Sequence, residues 1–253
     1  MQAQRLEGKT ALITGASKGL GKAMALALGG AGARLALVSR NLEQLEAVAA
    51  EARREGGEAR AFPADVARED EVARLEREVA TAFGRGLHIL VNNAGINLRK
   101  TLTDFTLEEW RRVMDTNVTS VFLMCRAFVP HMKGNGYGRI LNLTSIMSRV
   151  SLPGRAAYSA SKSALLGLTR ALALELAPES ITVNGISPGP FATEMNTALM
   201  QDPEVNQQFI SKIPLGRWGR VEEVGRLALC LCSEEAGFIT GTDILIDGGW
   251  CAQ

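Results

Sequence analysis

The 253-residue sequence lacks the features that mark nucleic-acid-binding, secreted and membrane proteins. Its 28 basic residues are balanced by 27 acidic ones, for a net charge of +1. No broad basic surface for nucleic acid or anionic lipid is therefore expected. The most apolar stretch, 164–176, is interrupted by Arg170 and Glu175, and the first ten residues contain three charged residues. We therefore expect neither a membrane span nor secretion.

Cysteine and histidine are also scarce. The four cysteines are scattered along the chain: Cys125, Cys230, Cys232 and Cys251. The closest pair is two residues apart, which places the two side chains on different faces of a helix, so neither a zinc site nor a thioredoxin-like site is expected. We predict free thiols in a reducing cytoplasm and no bound metal. Neither histidine, His88 nor His131, belongs to a catalytic motif, and both are predicted to be structural or on the surface.

The composition that is present predicts one α/β domain spanning residues 1–253. Hydrophobic residues make up 46% of the chain and charged residues 22%, as in packed globular proteins, and no linker or repeat divides it. Short aliphatic segments alternate with helical patterns and predict about seven strands, buried on both faces, at 10–14, 34–39, 59–63, 88–92, 139–144, 182–187 and 243–246. This order predicts a doubly wound parallel sheet flanked by helices. Ligands should therefore bind just after the strands.

A glycine-rich turn follows the first predicted strand and leads into a helix. Glycine permits positive φ and a close approach of backbone N–H groups to a phosphate, and the helix N-terminus adds partial positive charge. The pattern predicts a dinucleotide-binding turn with these residues: Gly15, Ser17, Lys18, Gly19, Leu20 and Gly21. The alternative is a tight turn that only lets the helix pack on the strand.

The end of the second strand distinguishes between the two nicotinamide cofactors. NAD enzymes usually place a carboxylate there to bind the ribose hydroxyls, whereas this chain has Ser39 and Arg40. Arg40 can pair with a 2′-phosphate, and Lys18 can add a second charge. Two solvated surface cations are the alternative interpretation. The residues favour NADP(H).

Tyr158 and Lys162 form a candidate acid-base pair. They are four residues apart in a helical segment and so project from one face. A free tyrosine has a pKa of about 10, and a nearby ammonium group together with an oxidised nicotinamide would favour its phenolate. Ser145, at the end of the fifth strand, can hydrogen-bond the same carbonyl oxygen. Taken alone, the tyrosine-lysine spacing is compatible with chance.

Asn117 lies in an otherwise apolar helical segment, where an amide side chain lowers helix propensity and so requires an explanation. One interpretation is a buried asparagine that caps a kink. The other, which depends on family resemblance, is catalytic.

Together these motifs resemble the short-chain dehydrogenase/reductase family over nearly the whole chain. The resemblance rests on Gly15-x-x-x-Gly19-x-Gly21, Asn92-Asn93-Ala94-Gly95, Ser145, Tyr158-x-x-x-Lys162 and Pro188-Gly189. It implies a Rossmann fold, a proton relay from Asn117 through water to Lys162, and a bond from Lys162 to the nicotinamide ribose. It also implies these further cofactor contacts: Asp65 and Val66 at the adenine, Asn92, Ala94 and Gly95 at the adenosine ribose, Pro188 and Gly189 after the sixth strand, Thr193 at the carboxamide, and Tyr158 in addition to its catalytic role.

Substrate specificity is expected in segments 146–156 and 190–215, the second forming a lid, and in the loop after Gly95. Segments 95–100, 191–199 and 216–219 resemble gluconate 5-dehydrogenase-type enzymes, whereas 157–162 and 213–217 resemble 3-oxoacyl-acyl-carrier-protein reductases. A 3-oxoacyl thioester, a sugar acid and a small ketone therefore all stay open as substrates. Four cations in these segments could bind a carboxylate or phosphate, or could simply be solvated: Arg99, Lys100, Arg149 and Arg155.

Two expectations concern assembly and turnover. The family resemblance implies a homotetramer, and the run Leu165, Leu166, Leu168 and Leu172 is consistent with two buried helix faces, although core packing also explains it. A Rossmann protein that senses NADP(H) without turnover is the alternative function. Because Asn117, Ser145, Tyr158 and Lys162 are all present, an enzyme is favoured.

Overall fold

The computed structural model describes residues 6–54, 56–84 and 86–252. In this part of the chain a parallel sheet of seven strands has the order β3-β2-β1-β4-β5-β6-β7. The strands are β1 Thr10–Thr14, β2 Arg34–Ser39, β3 Ala59–Pro63, β4 Ile89–Asn92, β5 Gly138–Leu143, β6 Ile181–Pro188 and β7 Asp243–Ile246. The predicted fold class is confirmed. Between β1 and β4 the strand order reverses, and this reversal opens a crevice at the carboxyl edge of the sheet.

The predicted strand bounds agree for β1, β2, β3 and β7 and shift by one residue in the others. Strand β4 begins after His88, whose Nδ1 accepts a hydrogen bond from the Thr10 backbone N–H at 3.1 Å. The prediction that every strand is buried on both faces is wrong for the sheet edges. Every residue of β4, β5 and β6 is buried, whereas no residue of β7 is. An edge strand has a neighbour on one side only, so solvent reaches it.

The helices lie on both faces of the sheet. They are α1 Gly19–Gly30, α2 Leu42–Arg54, α3 Glu69–Phe83, α4 Leu107–Met114, α5 Ser120–Phe128, α6 Ala156–Leu176, α7 Thr197–Gln201, α8 Pro203–Ser211 and α9 Val221–Cys232. One apolar cluster joins α1, α2 and α9 to the sheet, and a second joins α3, α5 and α6 to the opposite face. Alternate residues of β1 show the division, since Ile13 belongs to the first cluster and Leu12 to the second.

A π-helical turn, Asp115–Thr119, connects α4 to α5 and contains Asn117. The apolar pattern thus predicted a helix correctly here but not its wider turn. Such turns inside α-helices are frequent at functional sites. Asn117 is buried, and its placement is described with the site below.

The cysteines and histidines are placed in the structure as follows. All four cysteines are free thiols. His131 Nε2 lies 2.8 Å from the Glu76 carboxylate, so both histidines have structural partners. Among the described residues, no helix combines the length and the apolarity needed to cross a bilayer.

Candidate active site

A cavity of about 400 Å³ lies at the carboxyl edge of the sheet, where the strand order reverses. Residues that follow six of the seven strands line it, because parallel strands bring their carboxyl ends to one edge. The cavity brings together the following residues predicted for the site: Gly15, Ser17, Lys18, Gly19, Leu20, Gly21, Arg40, Asp65, Val66, Ala94, Gly95, Ser145, Tyr158, Lys162, Pro188, Gly189 and Thr193. Two predicted residues, Asn92 and Asn117, do not line it.

The side chain of Asn92 points away from the cavity into the layer between sheet and helices. It is buried, and its Nδ2 donates to Asn142 Oδ1 at 2.9 Å. The next residue, Asn93, lines the cavity instead, and its Nδ2 donates to the backbone oxygens of Thr14 at 2.8 Å and Gly15 at 3.1 Å. We had predicted a cofactor role for Asn92 and not for Asn93. The alternation of side chains along β4 was the available signal, since neighbouring residues face opposite ways.

The glycine turn has the geometry expected of a phosphate-binding turn. Gly15 and Gly19 have φ of 63° and 54°, the left-handed region that favours glycine. A Cβ on Gly21 would lie 2.2 Å from the Gly15 carbonyl oxygen, so α1 can approach β1 only with glycine there. No side chain caps the N-terminus of α1, and Gly19, Leu20 and Gly21 of its first turn line the cavity. Free backbone N–H groups at a helix N-terminus fit a diphosphate.

Two exposed cations lie at the same end of the cavity. Lys18 and Arg40 both line it, and neither forms an ion pair within the described residues. No carboxylate follows β2, where Asn41 and Gln44 complete the lining. This end of the cavity therefore fits a phosphorylated ribose better than a free diol.

Ser145 and Tyr158 meet at the other end. Ser145 follows β5, and the preceding Thr144 is fixed by hydrogen bonds from its Oγ1 to the Ile186 carbonyl at 2.7 Å and to Asp243 Oδ1 at 2.6 Å. Ser145 Oγ accepts from the Met147 backbone N–H at 3.1 Å. Burial raises the pKa of Tyr158, and a hydrogen bond with Ser145 and the charge of Arg155 oppose this rise. Ser145 and Tyr158 thus line the same cavity, and Ser145 affects the pKa of the Tyr158 hydroxyl.

Lys162 is held by a backbone carbonyl group. Its Nζ donates to the Leu143 carbonyl at 2.6 Å and lies 5.7 Å from the centre of the Tyr158 ring. Burial lowers the pKa of Lys162 to about 8. Arg155 is a positive charge that lowers the pKa of Tyr158 and that the sequence does not single out for this role. That Lys162, with an oxidised nicotinamide, favours the Tyr158 phenolate stays a prediction.

Asn117 ties three segments together behind the cavity. Its Oδ1 accepts from the Ile96 backbone N–H at 2.8 Å, and its Nδ2 donates to the Ile96 carbonyl at 3.0 Å and to Ser161 Oγ at 2.9 Å. Ser161, which we had not singled out, donates in turn to the Tyr158 carbonyl at 2.7 Å. A Cβ on Gly95 would lie 3.3 Å from Asn117 Oδ1 and 3.5 Å from Lys162 Nζ. Asn117 therefore lies close to Lys162 and also holds the loop after β4.

The predicted lid segment, 190–215, follows β6 and contains α7 and α8. Its base is closed by a bridge between Phe191 and Gly219, in which Ala192 N donates to the Gly219 carbonyl and Gly219 N donates to the Pro190 carbonyl, both at 2.9 Å. Thr193, Glu194 and Asn196 line the cavity from this segment.

Comparison with known proteins places this geometry in a family. Residues 15–251 match a family model described as enoyl-(acyl carrier protein) reductase. The gluconate 5-dehydrogenase of Gluconobacter oxydans is 38% identical over 96% of this chain and 95% of its own length. The 3-oxoacyl-[acyl-carrier-protein] reductase of Synechocystis is 40% identical over 96% of this chain and 97% of its own length. The chain belongs to the short-chain dehydrogenase/reductase family.

Solved structures of short-chain dehydrogenases agree with the computed one. A short-chain type dehydrogenase/reductase from Mycobacterium marinum has a TM-score of 0.93 and 40% identity, with 98% of each chain covered. A gluconate 5-dehydrogenase from Burkholderia cenocepacia, in complex with NADP and tartrate, has a TM-score of 0.93 and 36% identity, covering 98% of this chain and 97% of that one. The predicted family and the predicted oxidoreductase class are confirmed.

Proposed function

We propose that this protein is an NADP(H)-dependent oxidoreductase that transfers hydride reversibly between the nicotinamide and a ketone or secondary alcohol. One observation carries the proposal. Ser145 and Tyr158 line the same cavity as the glycine turn and Arg40, which forms no ion pair within the described residues. A proton donor and a cofactor-sized binding surface are thereby held at one sheet edge.

The cofactor end offers fitting partners for each charged part of NADP(H). The backbone N–H groups of the first turn of α1 would hold the diphosphate, and Lys18 and Arg40 would hold the 2′-phosphate. We assign the remaining contacts as follows: Asp65 and Val66 at the adenine, Ala94 and Gly95 at the adenosine ribose, and Pro188, Gly189, Thr193 and Lys162 at the nicotinamide end. Asn92 would contribute by holding the end of β4 through Asn142. When bound, NADPH supplies the hydride.

Proton transfer is assigned to Tyr158. Because burial raises the pKa of Tyr158, the hydroxyl is protonated at neutral pH, the state needed to donate to a carbonyl oxygen that becomes an alcohol. Ser145 would hold the same oxygen by a hydrogen bond. Lys162 and Asn117, which meet beside Gly95, would return a proton to Tyr158 through water. In the oxidative direction Tyr158 accepts the proton from the alcohol.

The test is NADPH oxidation followed against a carbonyl panel, repeated with NADH. The panel contains 5-ketogluconate, acetoacetyl thioesters, small ketones and bulky aryl ketones. We expect turnover with at least one class and a preference for NADPH. NADPH binding without turnover on any compound would favour the alternative, a sensor.

We further propose a homotetramer in a reducing cytoplasm. The outer face of α6 is exposed in the single chain, including Leu174 at 81% exposure, and Phe122 of α5 is 49% exposed. Apolar side chains on two helices support a contact between subunits. The four free thiols support the compartment. Light scattering that gives the mass of a single chain would contradict the tetramer.

A further inference from the structure

The cations around the substrate end of the cavity differ in one respect, namely whether a carboxylate neutralises them. Lys100 pairs with Glu109, and Arg149 Nε lies 3.4 Å from Asp243 Oδ2. Arg99 and Arg155 form no ion pair within the described residues, and Arg99 reaches only Asn196 Oδ1, at 3.5 Å. Within the described residues, carboxylates therefore neutralise Lys100 and Arg149, whereas none neutralises Arg99 or Arg155.

Of these two arginines, Arg155 gives the stronger evidence for a bound anion. It is buried, with 9% of its surface exposed, and its Nη1 atom has no hydrogen-bond partner. A buried charge without a partner is costly in free energy, and such groups are normally paired or bound to a ligand. Burial and the like charge of Arg99 lower the pKa of Arg155, and Tyr158 opposes this change. An anion would relieve both effects.

Arg155 lies closer in the chain to the proposed proton donor, Tyr158, than to the residues of the glycine turn. It is the N-cap residue of α6 and lies three positions before Tyr158, which is in the first turn of that helix. Neither Arg155 nor Arg99 lines the cavity that contains the glycine turn. Arg99 contacts Asn196, which does line it, and Arg155 is close enough to Tyr158 for each to affect the other's pKa.

Packing between two loops holds the arginines together. A Cβ on Gly154 would lie 3.7 Å from the Lys100 carbonyl oxygen, so the turn before α6 rests on the loop that carries Arg99. Asn97 in that loop has a buried Oδ1 with no hydrogen-bond partner. Arg155 Nη1 and Asn97 Oδ1 are thus a buried donor and a buried acceptor without partners, one in each of the two segments that meet at Gly154 and Lys100.

We propose that Arg155, assisted by Arg99, binds the carboxylate of a short oxo or hydroxy acid whose carbonyl or hydroxyl group reacts at Tyr158. This rests on the proposed function and narrows its substrate class. Acyl thioesters carry their phosphate at the far end of a long arm, so a charge next to the reacting carbonyl is a property of small acids. The carboxylate would form charge-assisted hydrogen bonds to the guanidinium group.

A competing explanation is that Arg155 acts only on the Tyr158 pKa. That role would affect every substrate alike and would shift the pH profile for charged and neutral substrates together. A carboxylate-binding role affects acids alone and acts mainly on KM.

The experiment measures kcat and KM with NADPH for acetoacetate, levulinate and 5-ketogluconate, and for methyl acetoacetate and methyl levulinate. The variants are Arg155→Gln, Arg155→Lys and the control Lys100→Gln, whose cation is already paired. We expect the wild-type protein to prefer acids to esters. Arg155→Gln should lower kcat/KM for acids roughly 10- to 100-fold through KM and leave the esters within about threefold. Arg155→Lys should restore part of the acid activity, and Lys100→Gln should change neither.

Equal losses for acids and esters in Arg155→Gln, or a wild-type protein that does not prefer acids, would overturn the inference while leaving the proposed function intact. A second measurement needs no turnover. In the presence of NADP⁺, levulinate should raise the unfolding temperature of the wild-type protein and not that of Arg155→Gln. Without ligand, Arg155→Gln should unfold at a temperature no lower than that of the wild-type protein, because the buried charge is gone. Equal stabilisation of both proteins by levulinate would contradict the proposal.

Discussion

The two ends of the cavity are built from different parts of the chain. The cofactor end consists of backbone groups and two exposed cations, Lys18 and Arg40. The substrate end consists of side chains, and its cations differ among themselves: Lys100 and Arg149 are paired, Arg155 is buried, and Arg99 is exposed. A backbone surface depends on glycine positions alone. The charge of a surface made of side chains depends on which cations are paired with carboxylates. The same fold can therefore bind substrates of different charge when these pairings differ.

The largest effect should come from removing the proton donor between the two ends. Tyr158→Phe should lower kcat about 10³-fold, because it removes the group assigned to proton transfer and leaves Ser145 only to hold the oxygen. NADPH affinity should change little, since the cofactor end is built from other residues. Steady-state rates and NADPH fluorescence titration would check this. A comparable loss of cofactor affinity would show that the two ends are not separate.

Gly21→Ala should lower both the stability of the fold and the affinity for NADPH, because it alters the glycine turn at the cofactor end. The new Cβ would lie 2.2 Å from the Gly15 carbonyl oxygen, which forces α1 away from β1 and costs roughly 3 kcal/mol of stability. Urea unfolding and NADPH titration would measure the loss of stability and of affinity. The control is Gly86→Ala, whose Cβ would make only an ordinary 3.5 Å contact with His88. Equal behaviour of the two variants would show that the turn tolerates a side chain.

Arg40→Asp should alter the cofactor end without affecting the substrate end. Replacing the cation by a carboxylate should lower kcat/KM for NADPH about 50-fold and raise it for NADH, since the carboxylate can accept from ribose hydroxyls. The control Lys22→Gln removes a cation that already pairs with Glu51 at 2.8 Å. An unchanged NADPH to NADH ratio in Arg40→Asp would remove Arg40 from the cofactor site.

Lys162→Met should show the cost of a buried ammonium group. Because the folded-state pKa of about 8 lies below that of the unfolded chain, the unfolded state binds more protons between those values. Wild-type stability should therefore rise with pH above about 8, and Lys162→Met should lack this rise. At pH 7 the variant should be about 1–2 kcal/mol more stable, part of the gain being offset by the lost bond to the Leu143 carbonyl. Urea unfolding at pH 7 and 9.5 would check both statements. Parallel pH profiles would contradict them.

The sequence predicted the backbone end of the site more accurately than the side-chain end. Four strands agree with the prediction to the residue, because aliphatic runs and turn glycines are local signals. Arg149 could not be recognised as neutralised, because its partner Asp243 is 94 residues away. Long-range pairing of charges is decided by tertiary structure.

The bridge between Phe191 and Gly219 has a consequence for how substrate range can change in such a protein. The bridge fixes both ends of segment 192–218 side by side, and a Cβ on Gly219 would lie 2.5 Å from the Phe191 ring. Within this segment the end after α8 is also tied to the residues that follow β7, since Leu215 N donates to the Gly248 carbonyl at 3.1 Å. The part that can vary without straining β6 or β7 is therefore the helical middle, α7 and α8, and sequence changes there can alter the wall of the cavity while the sheet stays unchanged.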